Sequence, residues 1–161
     1  MKLNPKKMKI KELKKRPEID HNKNQMRAHA QLDKLLTELK KRELPVETVM
    51  SINNEIDQFN SVSTPDKGLI KQIKKTQSDI LKLIETNHQL VTKNHYQNTW
   101  MTVGMAAFGL PLGVVFGTSL GNMALLAIGL PIGMVVGMVV GSEKDKKAFK
   151  EGRQIDLEIK D

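Results

Sequence analysis

From Asn94 to Ser142 the chain has no Asp, Glu, Lys or Arg, although 27% of its 161 residues are charged. Residues 100–141 are too many for one membrane crossing, since about twenty residues of helix span the roughly 30 Å hydrocarbon layer. They fit two, with the polar cluster Thr118, Ser119, Leu120, Gly121 and Asn122 as the turn. The expected spans are 100–118 and 123–141, inside a charge-free segment 94–142. They hold seven and nine Leu, Ile, Phe or Val residues, each contributing about −0.3 to −0.6 kcal/mol to insertion. Once Gly and Pro are counted, neither span has much apolar surplus, so insertion as a transmembrane helical hairpin is expected.

Glycine sets the packing expectation. Gly109, Gly113, Gly117 and Gly121, then Gly129, Gly133, Gly137 and Gly141, step by four, and Gly104 precedes them. That spacing lines one helix face with residues that let another backbone come close, and in lipid such packing drives helix association. Residues 108–121, FGLPLGVVFGTSLG, repeat at an offset of twenty as 128–141, IGLPIGMVVGMVVG. Folded about Gly121, the repeat brings Gly113 level with Gly129 and Gly109 level with Gly133. Pro111 and Pro131 then lie near mid-bilayer as paired kinks, each lacking a backbone donor.

Positive charge predicts the orientation. Lys93 precedes the first span, and Lys144, Lys146, Lys147 and Lys150 follow the second, while the turn carries none. Both termini are therefore expected in the cytoplasm, with Tyr96 and Trp100 as interfacial anchors beside Lys93, Lys144, Lys146 and Lys147. Residues 143–161 read as a charged cytoplasmic tail.

The excess charge, +8 overall, lies before residue 94. A basic arm, residues 1–19, carries Lys6, Lys7, Lys9, Lys11, Lys14, Lys15 and Arg16, and is expected to be disordered. Anionic lipid headgroups are its favoured partner, at about 1 kcal/mol per basic residue near a bilayer. Solubility alone and nucleic acid are the alternatives. Without aromatic residues to stack on bases, nucleic acid is the weakest.

Residues 20–93 read as a soluble amphipathic module of three helices. Asp20 or Asn22 is the expected cap of the first, running to about Glu43 with Met26, Leu32, Leu35, Leu36 and Leu39 on one face. Pro45 opens the second, about Val46 to Phe59, with Val49, Ile52, Ile56 and Phe59 inward. After a loop at 60–64, Thr64 and Pro65 start the third, whose apolar face runs from Leu69 to Leu90 and Val91. The expected class is all-α: a three-helix bundle or hairpin in the cytoplasm, then the transmembrane pair. A core this small gains from self-association or membrane contact.

No cysteine is present, which excludes disulfides, thiolate metal sites and cysteine nucleophiles. His21, His29, His88 and His95 lie far apart without acidic partners at ligand spacing. No catalytic motif or phosphate-binding glycine loop stands out, so neither enzyme activity nor a cofactor or metal is expected.

The residues GLPLGVVFG and GLPIGMVVG resemble the glycine-zipper two-helix segments of many small bacterial membrane-associated proteins. The resemblance covers about forty of the 161 residues. The chain departs from the lipoprotein and outer-membrane members in having no lipobox cysteine and no export signal. What the resemblance implies is an inner-membrane protein that packs or oligomerises, with no catalytic residues to carry over. The expected function is a non-enzymatic, membrane-anchored interaction or scaffold protein whose partners are the bilayer and either further copies or another membrane protein. A holin-like or toxin-like pore former, a subunit of a transport or secretion complex, and an oligomer that associates with membranes without spanning are the competing readings.

Overall fold

A computed structural model of the chain describes residues 8–14, 22–61, 66–122, 124 and 126–159. The fold is mostly helical. In order come α1 (Lys23–Lys40), α2 (Val46–Ser61), α3 (Asp66–His88), β1 (Val91–Lys93), α4 (His95–Gly104), a π-helical turn (Met105–Gly109), α5 (Leu110–Ser119), α6 (Leu126–Lys150) and β2 (Gln154–Glu158). The two short strands make a two-stranded sheet, an addition to the expected all-α class. The chain divides into two compact units, one of residues up to Leu90 with Ile155–Ile159, the other of Val91–Gln154.

In the first unit, Asn22 is the residue that caps α1. Its side-chain oxygen accepts from the amides of Asn24 and Gln25 at 3.1 and 3.3 Å, filling donors that a helix start leaves open. Leu32, Leu35, Leu36 and Leu39 of α1, Ile52, Ile56 and Phe59 of α2, and Ile73, Ile80 and Ile84 of α3 are buried in one core. Each such side chain contributes about 1.5–3 kcal/mol of burial. Met26, expected on the inward face of α1, is 47% exposed, and Gln25 takes the inward position instead. The helix also stops at Lys40, short of Glu43.

The end of α3 departs from the periodic reading as well. Gln89 adopts a left-handed conformation (φ 54°), which ends the helix at His88. Leu90 still reaches the core, but from beyond the helix, and Val91 belongs to β1. The His88 ring is 2.7 Å from the Thr48 hydroxyl, tying this end of α3 to the start of α2. The expected cap Asp20 and the Thr64–Pro65 start of α3 lie outside the described residues.

The disordered arm needs correction where it is described. Residues 8–14 form neither helix nor strand, yet Ile10 and Leu13 are buried in the core of the first unit. Lysine density argued against packing, but two apolar residues three apart are buried here, with the Lys11 amide and the Glu12 carbonyl between them bonded by Asn53 and Asn60. Of the residues read as a charged tail, α6 takes in those up to Lys150, and Ile155 and Leu157 of β2 are buried in the core of the first unit.

Candidate membrane-spanning helix pair

The second unit holds the charge-free segment. Two of its helical stretches, His95–Ser119 and Ala127–Lys150, are long and apolar enough to cross a membrane. They run antiparallel, as their contacts show. A side-chain carbon placed on Gly141 would come within 2.5 Å of the Gln97 Cα, and one on Gly137 would fall on the Trp100 carbonyl oxygen. One on Gly133 would meet the carbonyl oxygen of Gly104, and one on Gly129 that of Gly109. A side-chain carbon on Gly109 would stand 3.0 Å from the Gly129 carbonyl oxygen and the Leu130 Cα. Gly113 and Gly117 are buried too. Backbone therefore lies directly against backbone, and glycine is required because no other residue leaves that space.

Gly121 differs from the other glycines. It is exposed, has φ 62°, and has open space where a side chain would stand. Its amide donates to the Thr118 carbonyl at 3.4 Å, and the Asn122 amide donates to the Gly117 carbonyl at 3.0 Å. That pair of bonds is a Schellman cap, so Gly121 ends α5 and its expected packing role is not seen. The same cap closes α6, with Gly152 at φ 69° and the Arg153 amide donating to the Ala148 carbonyl at 2.9 Å.

Neither proline ends its helix. Pro111 stands in the first turn of α5, directly after the π-helical turn, where the Leu110 amide reaches back to the Met105 carbonyl. Pro131 lies inside α6, with no such turn before it. The π turn coincides with the one irregular glycine step, five residues from Gly104 to Gly109. Five residues of α-helix rotate by roughly 500°, which would carry Gly104 about 140° off the glycine face. The wider turn absorbs the extra residue, and Gly104 packs on Gly133 and Gly137.

Around the glycine seam the bulky residues point outward. Phe108, Leu110, Val114, Val115 and Phe116 of one helix, and Ile128, Val135 and Val139 of the other, are exposed. Water would select the reverse arrangement, since apolar surface leaves water at about 25 cal/mol per Å².

At the end remote from Gly121, polar contacts bind the helices. Asp145, buried to 7% exposure, accepts from the amides of Tyr96 and Gln97 at 3.1 and 2.9 Å. A carboxylate on α6 thus satisfies the open donors of α4's first turn and meets the positive end of its dipole. Sequence reading placed Asp145 in the tail and missed this role, because its targets lie nearly fifty positions away. The Lys144 ammonium stands 5.2 Å from the centre of the Trp100 ring, a cation–π distance. Lys146 pairs with Glu143 at 2.7 Å, and Lys147 approaches Glu151 at 3.9 Å. Glu151 also bonds the Arg153 guanidinium and holds it above its ordinary pKa, with the Tyr96 hydroxyl adding to the effect. Lys93 is exposed on β1.

The expected lipid-binding residues divide. Lys6, Lys7, Lys15 and Arg16 lie outside the described residues. Lys9, Lys11 and Lys14 belong to the described segment 8–14 of the first unit, where Lys11 pairs with Asp57 at 2.6 Å. Among the described residues, no group of three or more His, Cys, Asp or Glu side chains is placed to hold a metal ion. No protein-family model, curated protein or solved structure matches the chain.

Proposed function

We propose that this protein is a non-enzymatic, membrane-anchored interaction protein, held in a bacterial inner membrane by a two-span glycine-zipper hairpin with both termini in the cytoplasm. The observation that carries the reading is the inverted packing of the second unit, glycine inside and Phe, Leu, Ile and Val outside. The outer face needs an apolar solvent, and lipid supplies one. Lys93, Lys144, Lys146 and Lys147 favour the cytoplasmic side for the end that carries Trp100 and Tyr96, and the uncharged turn at Gly121 faces the other side. The glycine face is taken up by the chain's own second helix, which supports a hairpin closed on itself over a pore lined by several copies. The helices of the first unit are then the part presented to partners.

Alkaline carbonate extraction of membranes tests the anchor: the chain should stay in the pellet, and release into the supernatant overturns the reading. Because the chain has no cysteine, single replacements map its sides. Asn122→Cys should react with an impermeant maleimide on intact spheroplasts, and Lys93→Cys only after lysis. The reverse pattern would overturn the assigned orientation.

A further inference from the structure

The segment 9–14 is held in an unusual way for an arm so rich in lysine. The Asn53 side chain accepts from the Lys11 amide at 2.8 Å and donates to the Lys9 carbonyl at 3.1 Å. Asn60 repeats the pattern one step further along, accepting from the Lys14 amide at 2.9 Å and donating to the Glu12 carbonyl at 3.3 Å. Each asparagine amide thus presents one donor and one acceptor to the backbone of this segment, at positions three residues apart. The spacing fits. Seven residues of α2 rise about 10.5 Å, and three residues of a chain with three residues per turn rise about 9 Å and return to the same side. Asp57, between the two asparagines on the same face, takes the Lys11 ammonium. Ile10 and Leu13, one inside each bracketed step, are buried.

These contacts make α2 a reader of peptide backbone, with two apolar positions and one lysine supplying selectivity. We propose that Asn53, Asp57 and Asn60 form a peptide-binding site, and that residues 9–14 of a second copy enter it in exchange for the chain's own. The site cannot stand empty, since Ile10 and Leu13 close the core, so an occupant must replace what leaves. A second copy brings an identical segment and reproduces every contact, which makes exchange between copies a route to association without new contacts. The eight peptide steps from Lys14 to Asn22 reach roughly 27 Å when extended, enough to bridge adjacent molecules. Copies anchored in one membrane would meet at high effective concentration, but the proposal stands on the first unit alone and survives failure of the membrane reading.

The test uses two full-length chains carrying different tags, one with Lys11→Cys and one with Asp57→Cys, co-expressed and treated with a short bis-maleimide. A mixed-tag dimer is expected, at a yield several-fold lower when synthetic peptide of residues 8–14 is present in excess or when the partner site carries Asn53→Ala and Asn60→Ala. Absence of mixed dimer, while a chain carrying both cysteines links internally, overturns exchange. A mixed dimer insensitive to the peptide would trace to chance proximity and overturn it equally. Performing the reaction in membranes and in detergent separates this result from the fate of the anchor.

Discussion

The two units of this molecule invert one another. In the first, leucine, isoleucine and phenylalanine are inside and lysine is outside; in the second, glycine is inside and the large apolar residues are outside. Both follow from one rule, that a chain hides from its solvent whatever that solvent excludes. Water drives the first core together by expelling apolar surface. In the proposed membrane setting lipid offers no such drive between apolar helices, and the second unit instead shows close approach at glycine. A single sequence therefore carries two opposite recipes for a core.

The sharpest way to break that comparison is to truncate the same residue type in both units. Phe59→Ala leaves a hole in a fully buried position and should cost about 3–5 kcal/mol of stability. Phe116→Ala removes an outward ring, 38% exposed, and should cost only about 0.5 kcal/mol of insertion. Chemical denaturation of the purified protein in micelles, followed by circular dichroism, measures the first. The membrane-bound fraction measures the second. Equal losses of folding stability would mean that the second unit buries its aromatic rings against protein, and the inversion would fail.

Adding atoms should do in the second unit what removing them does in the first. In an unpacked helix Gly→Ala stabilises by about 1 kcal/mol. Gly133→Ala would instead place a methyl on the Gly104 carbonyl and should destabilise the pair by about 1–3 kcal/mol. The sign of the change is the readout. Stabilisation would show that the helices do not meet at this seam.

Asp145→Ala tests the polar end of the same seam. Loss of a helix cap costs about 0.5–2 kcal/mol, and the effect should be local. Amide hydrogen exchange at Tyr96 and Gln97 should accelerate, while that of the first unit stays unchanged. Unchanged exchange at those two amides would deny the cap.

Much of this architecture is legible in the sequence because periodicity reports faces. The charge-free run marks the apolar helices, and the three- and four-residue steps of leucine and isoleucine mark the sides that α1, α2 and α3 bury. What periodicity does not see is a partner far along the chain. Asp145 bonds backbone 48 and 49 positions away, and Asn53 holds the segment that begins at Lys9, 44 positions away. Neither bond leaves a local signature. Gly121 shows the complementary failure: it keeps the four-residue step yet serves a turn, because spacing alone does not reveal that φ becomes positive there.

The smallest predicted effect addresses why the two copies of the internal repeat differ in backbone. Two causes for the π turn before Pro111 are available. Proline lacks an amide and crowds the carbonyl four residues earlier, which a wider turn relieves. Alternatively, the five-residue step from Gly104 to Gly109 demands an extra residue in the turn to hold both glycines on one face. The repeat contains its own control, because Pro131 stands inside α6 without a π turn and the glycines around it step by four. Glycine register is therefore the deciding cause. Deleting Ala106 should convert the step to four, restore α-helix over this stretch and keep Gly104 against Gly133. Pro111→Ala should leave the π turn in place. Contacts between glycine α-protons, observed by nuclear magnetic resonance in micelles, decide the matter. Loss of the Gly104–Gly133 contact in the deletion, or of the π turn in Pro111→Ala, would return the cause to the proline.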